Sequence, residues 1–91
     1  LTGTSAINGT GNALNNFLQG NSGVNTLSDT TGGNDIYQGL AGADTLTDTV
    51  ATGNNLFDGG ADNDTMTGGA GRDLFIGGLG NDTITTGTGF D

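Results

Sequence analysis

Gly68-Gly69-Ala70-Gly71-Arg72-Asp73-Leu74-Phe75-Ile76 runs without a break into Gly77-Gly78-Leu79-Gly80-Asn81-Asp82-Thr83-Ile84-Thr85. Both nonapeptides fit G-G-x-G-x-D-x-U-x, with U a large apolar residue, at every fixed place. The preceding unit, Gly59 to Thr67, departs only at its fourth place, where Asp62 stands for glycine. Glycines in the first places permit positive φ and close backbone approach, so each unit begins with a tight turn. The last three residues, such as Thr65-Met66-Thr67, are β-formers whose middle side chain points opposite to its neighbours. A three-residue strand has no stability alone. Stacked on copies of itself about 4.8 Å apart, it becomes one rung of a parallel sheet.

Working upstream, the same phase persists in weaker form. The sixth place is held by Asn16, Asn25, Asp35, Asp44, Asn55, Asp64, Asp73, Asp82 and Asp91, at steps of 9 residues except for 10 before Asp35 and 11 before Asn55. Two places later comes an apolar residue: Leu18, Leu27, Tyr37, Leu46, Phe57, Met66, Phe75 and Ile84. Two units make one coil, so successive strands alternate between two facing sheets. The expected fold is therefore all-β, a parallel two-sheet β-solenoid of nine nonapeptide half-turns, forming one module over residues 1–91. Residues 1–10 read as an irregular N-terminal strand or cap, 11–58 as degenerate repeats and 59–91 as near-consensus repeats, truncated at the C-terminus as in a segment of a larger protein.

Composition narrows the function. The 91 residues include 20 Gly and ten Asp, but no Glu, Lys, His, Cys or Pro and a single Arg. Without Cys or His, thiolate and imidazole metal sites and the nucleophiles that depend on them are excluded. A net charge of −9 repels phosphate, so nucleic acid is not an expected partner. No apolar run is long enough for a membrane-spanning helix. Leu, Ile, Val and Phe total only 19 residues, a thin core for a chain of this charge. A ligand that neutralises carboxylates and binds only the folded state would supply the missing stability.

Calcium suits that role, because it takes six to eight oxygens from carboxylates and backbone carbonyls in irregular geometry. Turns two units apart stack on one edge, which should bring Asp64 to Asp82, Asp73 to Asp91 and Asp44 to Asp64. A divalent ion between such pairs removes their repulsion. Pairs that contain Asn lose a charge and should bind weakly, and the 11-residue step before Asn55 should distort its turn. Asp29, Asp48 and Asp58 fall outside the sixth place and read as solvated surface charge. Asp62 has two readings, an extra ligand or a replaced turn glycine.

These nonapeptides resemble those of the RTX family, the haemolysin-type calcium-binding repeats of secreted bacterial proteins, closely over 59–91 and loosely over 11–58. The resemblance implies a right-handed parallel β-roll that binds several calcium ions between turns, and an extracellular or cell-surface location reached by type I secretion. It assigns metal ligation to Asp44, Asp64, Asp73, Asp82 and Asp91. Asp35 and Asp62, with the backbone carbonyls of Gly59, Gly60, Gly68, Gly69, Gly71, Gly77, Gly78 and Gly80, are secondary ligands. Folding on contact with extracellular calcium would follow, in a folding, secretion or structural module without catalytic residues.

The two sheets should differ. Thr26-Leu27-Ser28, Thr45-Leu46-Thr47, Thr65-Met66-Thr67 and Thr83-Ile84-Thr85 would turn two files of hydroxyls outward, a flat array similar to the ice-binding faces of some β-solenoids. An adhesin or ice-binding segment rigidified by calcium is thus the alternative function. The other sheet would put Phe17, Ile36, Leu56 and Leu74 outside, an apolar stripe expected to meet a neighbouring domain or another copy.

Overall fold

The computed structural model describes residues 2–49 and 52–89. Strands β1 (Gly9–Thr10), β3 (Thr26–Asp29), β5 (Thr45–Asp48), β7 (Thr65–Thr67) and β9 (Thr83–Thr85) form one sheet in that order. Strands β2 (Phe17–Gln19), β4 (Ile36–Ala41), β6 (Leu56–Ala61) and β8 (Leu74–Gly78) form the other. Every neighbouring pair is parallel. The strict odd–even segregation is the expected alternation of half-turns, and it defines a two-sheet β-solenoid of about four turns. Nine complete half-turns overcounts slightly: β1 has only two residues, and no strand follows β9 among the described residues.

Register follows the repeat across its irregular steps. Thr26, Thr45, Thr65 and Thr83 stand in line, as do Phe17, Ile36, Leu56 and Leu74. The strands stay aligned although successive coils contain 19, 20 and 18 residues, because the extra residues are taken up in the turns. Between the sheets, Leu18, Tyr37 and Phe57 pack against Leu27, Leu46 and Met66, all buried, with Phe75 alongside. The rings of Tyr37, Phe57 and Phe75 stack coil on coil, centroids 4.7 and 4.8 Å apart and planes within 2° and 7° of parallel. That spacing is the strand separation itself, so identical register converts three sequence-distant rings into one column. Ile84, expected in the inward file, is 42% exposed instead, since no further described coil lies on β9.

Candidate metal centre

The turns stack on two edges of the slab. The first edge carries Asn25, Asp44, Asp64 and Asp82; the second carries Asn16, Asp35, Asn55 and Asp73. On both, the marker side chain reaches back one coil and accepts a hydrogen bond from the backbone N–H of the previous marker. Asp44 Oδ1 accepts from Asn25 N at 2.8 Å, Asp64 Oδ1 from Asp44 N at 2.9 Å and Asp82 Oδ1 from Asp64 N at 2.9 Å. Across the slab, Asp35 accepts from Asn16 N at 2.7 Å, Asn55 from Asp35 N at 2.8 Å and Asp73 from Asn55 N at 2.9 Å. Thus Asp64 and Asp82 meet, as do Asp44 and Asp64. Asp91, expected opposite Asp73, lies outside the described residues.

The second carboxylate oxygen is the informative one. Asp35, Asp44 and Asp64 are fully buried, and the Oδ2 atom of each has no hydrogen-bond partner. In the five-residue turns the marker Asp folds over the leading glycine of its own turn, as Asp44 does over Gly39. A Cβ at Gly59 would strike Asp64, one at Gly77 would strike Asp82, and one at Gly68 would lie 2.6 Å from Asp73 Oδ2. Glycine leads these turns because the carboxylate occupies the space of a side chain. Positive φ at the second and fourth places recurs up the first edge: Gly60 and Asp62, then Gly78 and Gly80. Leu40 and Asp62 take φ of 82° and 78°, a conformation that glycine adopts without strain. Added Cβ atoms at Gly60, Gly78, Gly80 and Gly71 would collide with the carbonyl oxygens of Leu40, Gly60, Asp62 and Gly53 on the coil below. Carbonyl oxygens therefore line the inside of every such turn. Gly60 O also accepts from Leu79 N at 2.9 Å, leaving it one lone pair. Asp62 is exposed, and its Oδ2 accepts from Gly42 N at 3.1 Å on the preceding coil.

Electrostatics marks the same oxygens. Burial pushes the Asp44 carboxyl up to about 6, beyond what the Asn25 N–H bond holds down, and Asp64 and Asp62 add to the rise. Asp64 is raised by burial too, against the lowering Asp44 N–H, with Asp82, Asp62 and Asp58 contributing. Asp35 is raised by burial, against the Asn16 N–H, with Asp29 and Asp48 contributing. Without a counter-ion, the roll holds these groups where ionisation is disfavoured. Among the described residues no three carboxylates converge on one point. The oxygens come instead as one carboxylate per turn beside bare backbone carbonyls, a donor set for a hard cation such as calcium.

Two sequence expectations need correction. Asp29 and Asp48 are not solvated surface charges: both are fully buried. Strand alternation is the reason, for Leu27 points in, Ser28 out and Asp29 in again, and Leu46-Thr47-Asp48 repeats this. Asp58 is half-buried on the other sheet. A second ladder was also missed. Asn15 Oδ1 accepts from Asn34 N at 2.9 Å, Asn34 Oδ1 from Asn54 N at 2.9 Å and Asn54 Oδ1 from Arg72 N at 3.0 Å. The asparagines at the fifth place thus strut the second edge in the direction opposite to the sixth-place ladder. Asn15, Asn34 and Asn54, one residue before three of the four second-edge markers, are a recurrence visible in the sequence.

Stacked turns of this kind on a parallel two-sheet solenoid define a repeat protein whose edges are built of carboxylate and carbonyl oxygen. The RTX calcium-binding nonapeptide repeat matches four stretches, residues 10–28, 29–48, 50–84 and 58–91. The chain belongs to that family. No curated protein and no solved structure compared with it matches. The residues present fit calcium: the unpartnered Oδ2 atoms of Asp44 and Asp64, with Asp82, would hold it on the first edge, and Asp35 and Asp73 on the second, each beside turn carbonyls.

Proposed function

We propose that this roll folds when it binds extracellular calcium and serves as a folding, secretion or structural module of a secreted bacterial protein, without catalytic activity of its own. The observation that carries the reading is the buried, unpartnered Oδ2 atoms of Asp44 and Asp64, one coil apart on the first edge, and of Asp35 on the second. In the cation-free chain, burying them costs desolvation and mutual repulsion, which favours the open chain where calcium is scarce. Calcium supplies the missing partner, and its binding energy becomes folding energy. Far-UV circular dichroism during calcium addition to chelator-stripped protein tests this, with magnesium as control. A coil-to-β transition specific to calcium is expected; a β-spectrum indifferent to chelator overturns it.

A second reading has its own observation. Thr26, Thr45, Thr65 and Thr83 stand in register, as do Ser28, Thr47, Thr67 and Thr85, so one face carries two straight hydroxyl files. An ice-binding or adhesive face would use them, with calcium only stiffening the scaffold. Thermal hysteresis that disappears in Thr65→Val/Thr67→Val supports this reading; no ice shaping removes it. On the opposite face Phe17, Ile36, Leu56 and Leu74 form a continuous apolar file, with Phe17 64% and Leu74 59% exposed. A neighbouring domain or a second copy would dock there.

A further inference from the structure

The interior of the second edge contains acceptors that the repeat does not explain. Asp29 and Asp48 occupy the leading place of their turns, where Gly59, Gly68 and Gly77 stand elsewhere. They are register partners on adjacent strands, both pointing inward and both fully buried. Two side chains so placed stem from backbones about 4.8 Å apart. Asp29 Oδ1 is satisfied by Thr31, whose N–H and hydroxyl donate at 2.7 and 2.6 Å, but Asp29 Oδ2 has no partner. Asp48 Oδ2 accepts from Asn55 Nδ2 at 2.8 Å. Beside them lies Asp35, whose Oδ2 is also unpartnered.

An independent group points into the same space. The Tyr37 hydroxyl is fully buried and has no hydrogen-bond partner, although a phenol needs one when buried. Burial raises it well above its ordinary value, and four carboxylates raise it further, in the order Asp48, Asp35, Asp29 and Asp73. The hydroxyl therefore sits among acidic groups without being bonded to one. The local inventory is three oxygens without partners, those of Asp29, Asp35 and Tyr37, beside the buried Asp48 carboxylate, with no cationic side chain among them.

We propose that Asp29 and Asp48, faced by the Tyr37 hydroxyl and flanked by Asp35, form an interior calcium site separate from the ions between stacked turns. The ion takes the Asp29 and Asp48 carboxylates as its charged ligands and completes its shell with neutral oxygens, as calcium's irregular coordination permits. The insertions make it possible. With six and seven residues from leading place to marker instead of five, these turns carry a carboxylate at the leading place where the shorter turns have glycine. The site does not rest on the turn ions, and the two are separable by experiment.

Tyr37 is the only tyrosine and the chain has no tryptophan, so a lanthanide bound here is excited selectively through tyrosine. Terbium is titrated into the full chain with emission read on tyrosine excitation, and bound calcium is counted by native mass spectrometry. The wild type should show sensitised emission. Asp29→Asn/Asp48→Asn should bind one calcium fewer and need about 10- to 100-fold more terbium for the same emission, at least the loss produced by altering an outer-shell partner. Asp64→Asn, on the other edge, should lose calcium while keeping tyrosine-sensitised emission. If Asp64→Asn alters nothing, the turn-ion reading fails and the interior site stands. Folded wild type that binds terbium without sensitised emission overturns the interior site, as does a double variant with unchanged ion count. The same count in Asp48→Asn alone serves if the double variant does not fold.

Discussion

On the first edge every turn opens with glycine (Gly20, Gly39, Gly59, Gly77) and reaches its marker five residues later. On the second edge two of the four turns open with Asp29 and Asp48 and take six and seven residues to reach Asp35 and Asn55. Both edges carry the same ladder from marker carbonyl-type oxygen to backbone N–H, so the longer turns leave coil stacking intact. What changes is the space over the leading residue. In a five-residue turn the marker carboxylate fills it; in a longer turn an acidic side chain fits there and faces the core. Turn length thus decides whether an edge holds oxygens only at its rim or also inside.

The sharpest way to break that comparison is to exchange leading residues. Gly59→Asp puts a side chain where Asp64 already lies, with the Asp64 Cβ and Cγ only 2.9 Å from the new Cβ. Overpacking plus an unpaired buried charge should cost about 3 kcal/mol or more, and thermal melts in calcium should show loss of the folded state. Asp48→Gly, the reverse change on the other edge, creates no clash and, compared in chelator so that no ion is lost, should alter stability by less, about 1–2 kcal/mol, through added chain entropy and the Asn55 Nδ2 left without its acceptor. Equal damage from both would show that turn length does not govern the leading place.

Marker truncation sharpens the contrast at the next level. Asp64→Ala leaves the buried Asp44 N–H without its acceptor, costing about 1–3 kcal/mol, and removes an oxygen proposed to ligate calcium on the first edge. Asn55→Ala exposes the equivalent Asp35 N–H to the same loss but removes no charge. Denaturation in chelator should find the two similar, whereas the calcium midpoint should rise clearly in Asp64→Ala and little in Asn55→Ala.

Most of the architecture was legible because two periods agree. The nonapeptide repeat set the coil, and the two-residue period of each strand set which side chains enter the core. Of the eight residues those periods select, Leu18, Leu27, Tyr37, Leu46, Phe57 and Met66 are buried, while Phe75 is half-buried and Ile84 exposed on the last described coils. The marker ladder was readable for the same reason. Asp29 and Asp48 were misjudged by their place in the nonapeptide, when strand alternation beyond Leu27 and Leu46 already turned them inward. The Tyr37 hydroxyl was beyond the reach of pattern, since sequence assigns the ring to a file but not the partners of its oxygen.

Acid should separate the cation-free roll from its loaded form. Asp44 is raised to about 6 in the fold, and Asp35 and Asp64 are raised too, above their ordinary unfolded values near 3.8. A raised folded value means that the native state binds the proton more tightly. Stability in chelator is therefore greatest below about pH 4 and is lost as pH rises through about 6. Calcium needs the ionised carboxylates, so its midpoint should move the opposite way, weakening as pH falls through that range. Asp44→Asn should flatten the chelator profile. A cation-free roll that gains stability between pH 4 and 6 would contradict the burial on which this rests.

The smallest expected effect probes the second edge alone. Tyr37→Phe keeps the ring between Leu18 and Phe57 in the same inward file, preserving the stack with Phe57 at 4.7 Å, and deletes only an unpartnered buried hydroxyl. In chelator that removal should leave stability unchanged or raise it by about 1 kcal/mol, because an oxygen buried without a partner is a cost. In saturating calcium the sign should reverse, since the hydroxyl is then a neutral oxygen facing the ion held by Asp29 and Asp48. The discriminating quantity is the difference between the two melts, not either alone. A variant equally stabilised with and without calcium would confine the ions to the turn edges and leave the inward aspartates of the long turns without a cation between them.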